Sequence, residues 1–371
     1  MITFDKNKKY IILISSYLFS CLILNRWVFT DMREMSFGRL WQYYSSWTDF
    51  GFFRRGLLGT FLDVFKINSI VSNEYVFAYL FTFTLLTILY IITFRIIESR
   101  QEISENFYLY FIIFFSPATF THFAKETGNF DIPIVLLFLI STFYIKNTFS
   151  SAFILSVGIF MHESMIFFLP CSYLFKSFIY KLRFKDYISV CLPVLSIIII
   201  LLYGETHHSK EYWDNIMQNK IPIGYDKHIL WSGYFEVSSS ISSNNYFKFF
   251  IHDNIIGNWY WMIIPNIYLF YLSSLLFLKV DTSFKKRIII LLSTLFPYLI
   301  VIVAKDYYRW VSFCVMLSLF AILLLIDKKK LSLSNNELAF ISSFSIFMPF
   351  GGVPIDRPFP LHQFILEKVI F

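Results

Sequence analysis

The chain has 371 residues, of which 57% are hydrophobic and 21% aromatic, with only 15% charged and a mean hydropathy of +0.60. Soluble domains carry about 25% charged residues, so the composition argues against a soluble enzyme, and repeated apolar runs of helix-spanning length point to one membrane domain over residues 1–371. The net charge of +7 does not indicate a nucleic-acid partner, because Lys and Arg fall between the apolar runs, where topology signals lie.

The apolar runs lack the alternation of barrel strands, so the expected fold is all-α, a polytopic bundle of about eleven transmembrane helices. Lys6, Lys8 and Lys9 place the N-terminus in the cytoplasm. Tyr10–Phe29 is long and lacks a small-residue cleavage site, so it reads as a retained first helix. Thr30 to Tyr75 is then an outer loop, rich in charge at Asp31, Arg33, Glu34, Arg39, Asp49, Arg54, Arg55 and Asp63. Within it, Phe53, Leu57, Phe61 and Phe65 recur at helical spacing. The spacing predicts an amphipathic helix over Phe50–Phe65, with Asp49 as its N-cap partner, lying along the outer surface.

Tyr75–Ile97 returns inward and Asn106–Phe123 goes out, kinked at Ser116-Pro117. The island from Lys125 and Glu126 to Asp131 lies outside, before Ile132–Ile145 returns. The next apolar stretch reads as two helices, Ser150–Met161 and Met165–Tyr180, broken at His162-Glu163. A single long helix would leave Lys176, Lys181, Arg183 and Lys185 outside, against the positive-inside rule. Tyr187–Tyr203, Asn258–Leu278, Ile288–Ala304, Val311–Ile326 and Leu338–Phe350 complete the spans, and residues 204–257 form the second large outer loop.

This topology gathers the polar islands on one outer face. Arg54 and Arg55 suit a phosphate or diphosphate, which a guanidinium grips with two nitrogens, or else anchor a surface helix by snorkelling. Asp49 and Asp31 are candidate general bases for an acceptor hydroxyl, or a cap and a salt-bridge partner. His162-Glu163 serves acid–base chemistry or satisfies a broken backbone. Asp306 and Arg309 are spaced to pair on one helix face or to meet substrate; Lys125, Glu126 and Asp131 flank a turn at Gly128 and are candidate ligands. Glu205, His207 and His208 lack the spacing of helical metal ligands, so no metal is expected. Cys21, Cys171, Cys191 and Cys314 are scattered without a CxxC, which supports neither disulfides nor a zinc site. Nucleotide and hydrolase motifs are absent, so no cofactor is expected.

An acidic outer first loop followed by an amphipathic surface helix resembles the GT-C superfamily of membrane glycosyltransferases. The islands GFFRRGLLG (51–59), SP…GNFD (116–131), His162-Glu163 and DYYRW (306–310) also look like motifs of a bacterial family of polytopic proteins. The size and the Phe, Tyr and Ile content are similar to Wzy-type polymerases of O-antigen and capsule loci. The resemblance implies a multi-pass protein of the bacterial inner (plasma) membrane. Its substrate would be a polyprenyl-linked saccharide and its surroundings membrane lipid. Other polysaccharide-assembly proteins would be its partners, and its active face would be extracytoplasmic. It also implies Asp31 or Asp49 as base and Arg54/Arg55 as diphosphate ligands.

The expected function is therefore extracytoplasmic glycosyl transfer or polymerisation in cell-surface polysaccharide synthesis. The alternatives are a transporter or flippase of a lipid-linked or anionic solute and, behind it, an acyltransferase. Asp49, Asp31, Glu163 and His162 are the candidate catalytic residues. Arg54, Arg55, Lys125, Asp131, Asp306 and Arg309 are the candidate substrate ligands.

Overall fold

The computed structural model describes residues 6–29, 41–70, 74–100, 106–125, 130–205, 208–220, 259–302 and 307–347. Every regular element among them is helical. The first half of the chain gives α1 (Lys6–Phe29), the short α2 (Trp41–Tyr44) and α3 (Trp47–Phe50), α4 (Gly56–Val64) and α5 (Glu74–Glu98). It continues with α6 (Phe107–Phe115), α7 (His122–Lys125), α8 (Asp131–Leu139), α9 (Thr148–Met161) and α10 (Leu169–Tyr180). The second half gives α11 (Cys191–Tyr203), α12 (Lys210–Lys220), α13 (Trp259–Leu278), α14 (Phe284–Leu295), α15 (Tyr307–Asp327) and α16 (Asn335–Phe347).

Among the described residues, four stretches are long and apolar enough to cross a membrane: Asn7–Leu24, Val76–Glu98, Phe184–Tyr203 and Arg309–Asp327. Shorter apolar helices, among them Asp131–Tyr144 and Thr148–Met161, pack beside them. α15 is the axis of the bundle, with 89% of its apolar window buried, and it packs on α13 and α14. α1 and α11 lie at the periphery and turn apolar side chains outward. Ile11, Ile14, Leu18 and Leu22 make an exposed stripe on α1, and Leu195, Ile198, Leu201 and Leu202 do so on α11. The inward side of α1 carries hydroxyls instead: Ser16 and Ser20 each share a hydrogen bond of 2.8 Å with Tyr90 on α5. Large exposed apolar surfaces of this kind fit a membrane protein.

Breaks occur where the backbone chemistry demands them. Ser116 is extended (ψ 127°) before Pro117, which ends α6 and is followed by a wide helical turn over Pro117–Thr121. His162 is extended (φ −160°, ψ 122°) and ends α9; a 3₁₀ turn over Glu163–Phe168 then leads into α10. Two helices therefore replace one long span here.

The Phe50–Phe65 expectation needs correction. Gly51 (φ 69°) and Arg55 (φ 66°) both adopt left-handed backbone, so the stretch is a short α3, a turn, and α4 from Gly56. Phe53 is buried while Phe61 and Phe65 are exposed, so the four apolar residues do not share one face. Asp49 sits inside α3, and the residue preceding α4 is Arg55. Gly59 lets α4 lie flush on α2, since a Cβ there would fall 2.0 Å from the Ser45 carbonyl oxygen. The region read as the loop 204–257 also contains a helix, α12.

Candidate functional site

Ion pairs collect at two levels of the bundle. One level joins helix ends through Lys9–Glu98, Arg100–Asp327 and Lys279–Glu337. The other level holds most of the residues singled out from the sequence.

At its centre, Arg55 meets Glu163. The Arg55 Nε donates to both carboxylate oxygens, at 3.0 and 2.9 Å, and a terminal guanidinium nitrogen also donates to Oε1. The turn carrying Arg55 is fixed by packing and by backbone bonds. Trp47 and Phe52 both stack edge-on against Phe160 of α9, at 6.1 Å. The Arg54 N–H donates to the Gly204 carbonyl at the end of α11 (3.0 Å). Glu163 arrives because α9 stops at His162. The His162 Nδ1 accepts from the Ser164 N–H (3.2 Å) and is 2.8 Å from the Ser164 hydroxyl, capping the 3₁₀ turn. His162 Nδ1 lies 3.8 Å from the Glu163 carboxylate.

A second pair lies deeper. Arg309, in the first turn of α15, donates from Nε to Asp131 Oδ2 at 2.7 Å and from a terminal nitrogen to Oδ1. Asp131 opens α8, where the N-terminal end of the helix dipole favours a carboxylate. The Arg309 guanidinium also lies over the Trp310 ring, 5.0 Å from its centroid. The two pairs differ in access: Arg55 and Glu163 are 22% and 24% exposed, Arg309 and Asp131 only 4% and 1%. Both belong to one electrostatic cluster, because the charges of Arg55, Glu163, Arg309 and Asp131 all act on His162, and that of Arg54 acts on Glu163.

The third group is separate. Lys220, the last residue of α12, bonds Asp49 and reaches Asp63 Oδ1 at 2.9 Å. The Ser46 hydroxyl donates to the Asp49 carboxylate and lies 3.2 Å from Asp63 Oδ2. The Tyr212 hydroxyl donates to the Asp49 carbonyl (2.8 Å), which ties α12 down over α3. Asp49 thus faces a lysine, while the acid on the arginine turn is Glu163. His208 is held by the Phe50 carbonyl (3.0 Å) and stacks on Tyr212 at 4.4 Å. Among the described residues no cluster of His, Cys, Asp and Glu has the makings of a metal site.

Asp31, Glu126, His207 and Asp306 lie outside the described residues, as does the side chain of Lys125. Arg309 has Asp131, 178 residues away, as its described partner. Lys220 was not singled out from the sequence. Its signal was there: Trp213 and Met217, four apart and both buried, mark the inner face of α12.

No protein-family model matches the chain, and no curated protein or solved structure matches it.

Proposed function

We propose that this chain is a multi-pass protein of the bacterial inner membrane, GT-C-like or similar to the Wzy-type polymerases. In this reading it transfers or polymerises polyprenyl-linked saccharides at the extracytoplasmic face. The observation that carries the reading is the Arg55–Glu163 pair: a solvent-reachable guanidinium–carboxylate clasp beside Arg54 and His162, at one end of an apolar bundle. The N-terminus and the basic inner segments lie in the cytoplasm, and this end faces out. α4, with Phe61, Val64 and Phe65 exposed, lies at the lipid interface.

A diphosphate offers the same paired oxygens as a carboxylate, so the donor competes with Glu163 for Arg55. Arg54 and Arg55 then hold the diphosphate, and Glu163 is released beside His162. The acceptor hydroxyl attacks the anomeric carbon of the donor sugar and its proton passes to the Glu163 carboxylate. As the new glycosidic bond forms, the bond to the diphosphate oxygen breaks. The arginines stabilise the charge that develops on the leaving polyprenyl diphosphate. Asp49 is the lesser candidate for base, since Lys220 and Ser46 already hold its carboxylate. Asp131 and Arg309 support the floor of the site.

The deeply buried Asp131–Arg309 pair favours one other reading, a flippase or transporter of the same lipid-linked solute, because ion pairs at membrane depth often mark solute paths. Charge reversal separates the two. Arg54→Glu and Arg55→Glu variants inserted at normal levels lose product while lipid-linked substrate accumulates on the outer leaflet. Accumulation confined to the inner leaflet supports transport, and normal product from both variants removes the transfer reading.

A further inference from the structure

The opposite end of α9 borders a cleft that the transfer reading does not use. It is about 700 Å³ in volume and runs between the turn that opens α9 (Lys146, Asn147) and the connection from α10 to α11. α9 has 14 residues, which at about 1.5 Å rise per residue puts this cleft roughly 20 Å from His162.

Its lining is strongly one-signed. Lys146, Lys181, Arg183 and Lys185 line it against a single carboxylate, Asp186. That carboxylate is engaged, accepting the Arg183 backbone N–H at 2.8 Å. Among the described residues none of the four cations makes an ion pair, and all four are exposed. Lys181 holds a left-handed backbone (φ 52°) as the residue ending α10.

Apolar side chains flank the charge. Phe184 is 91% exposed, and Ile188 continues that surface onto the apolar span leading into α11. Phe149 and Phe153 are exposed on α9 alongside, and α9 packs against this connection. Cations over an apolar flank match an amphiphile carrying phosphate and acyl chains. A free polar anion has no use for the flank.

We propose that the cleft between Lys146 and the Lys181–Lys185 segment binds the phosphate of an anionic membrane phospholipid, whose acyl chains lie along the exposed faces of α9 and α11. Basic pockets between membrane helices recognise anionic headgroups through charge and hydrogen bonds. The site requires that the bundle sit in a bilayer; it does not depend on the transfer reading.

The test is native mass spectrometry of the full chain in neutral detergent, titrated with phosphatidylglycerol, with phosphatidylcholine, and with inorganic phosphate. Preferential retention of phosphatidylglycerol is expected. The variant Lys181→Asn/Arg183→Gln/Lys185→Gln should weaken it by roughly fivefold for each charge removed. Asn tolerates the left-handed backbone at position 181, so the fold is kept. Lys285→Gln/Lys286→Gln, which removes exposed charges elsewhere, should leave retention unchanged. Equal retention of both lipids, equal loss in both variants, or displacement of the lipid by millimolar inorganic phosphate would each overturn the proposal.

Discussion

Arg55 and Glu163 are 108 residues apart in sequence, yet the Arg55 Nε sits within 3.0 Å of both oxygens of the Glu163 carboxylate. The pair closes one end of the bundle, joining the turn before α4 to the break after α9. Its fork geometry is what distinguishes it from a lysine contact. Arg55→Lys should therefore keep the charge and lose the function. In a thermal-denaturation double-mutant cycle, Arg55→Ala and Glu163→Gln should show a coupling of about 1–3 kcal/mol. A coupling near zero would mean the clasp is not formed.

The Asp131–Arg309 pair should behave differently because water does not reach it. Removing one partner strips a buried charge of its forked counter-ion, so Arg309→Ala or Asp131→Asn should each destabilise by about 3–5 kcal/mol. The double replacement Asp131→Leu/Arg309→Met should be more stable than either single variant. Melting temperatures in detergent decide this; additive losses would contradict it.

Lys220 holds Asp49 and Asp63 together with help from Ser46. All three charged side chains are partly exposed, so Lys220→Ala should cost no more than about 1 kcal/mol. Its effect should shrink as salt screens the remaining acid pair. A further Asp63→Asn change should recover part of the loss by removing the repulsion. Limited proteolysis of α12 at low and high salt would read both effects.

Two glycines near the site should respond to the same substitution for different reasons. At Gly59 a Cβ meets the Ser45 and Gln42 carbonyl oxygens at 2.0 and 2.7 Å, so Gly59→Ala must push α4 off α2 and should destabilise by about 1–3 kcal/mol. At Gly51 nothing lies within 4 Å, but φ is +69°, so Gly51→Ala strains only the backbone. A site-directed cross-link between α2 and α4 should therefore fail in Gly59→Ala and form in Gly51→Ala.

At the other level of the bundle, the Lys279 ammonium and the Ser334 N–H and hydroxyl hold the Glu337 carboxyl below its ordinary range. A depressed carboxyl contributes stability that is present above its unfolded value and is lost as pH falls through the folded one. Stability measured against pH should drop on the acid side, and Glu337→Gln should flatten that limb. An unchanged limb would contradict the contact.

The helical fold could be read from the sequence because apolar length and the absence of alternation are local properties. The break at His162 was legible for the same reason, since a polar pair interrupts an apolar run. The kink at Ser116-Pro117 followed from proline chemistry alone. The split of Phe50–Phe65 was not legible: Gly51 permits left-handed backbone, but at Arg55 it goes with long-range contacts, the bond to Glu163 and the packing of Phe52 on Phe160. Pairing was the least legible feature. Arg309 had a sequence neighbour at the right spacing in Asp306, and only the fold brings Asp131 against it. Which carboxylate sits on which cation is a long-range fact that neither composition nor periodicity carries.

The most direct test of the central claim is the lipid-linked and surface glycan profile of cells lacking this protein, complemented with the wild type or with Arg55→Glu. Deletion should leave long polysaccharide reduced to a single repeat on its polyprenyl anchor, or leave a truncated repeat. Wild type should restore the profile and Arg55→Glu should not. An unchanged profile on deletion, or full restoration by Arg55→Glu inserted at wild-type level, would contradict it.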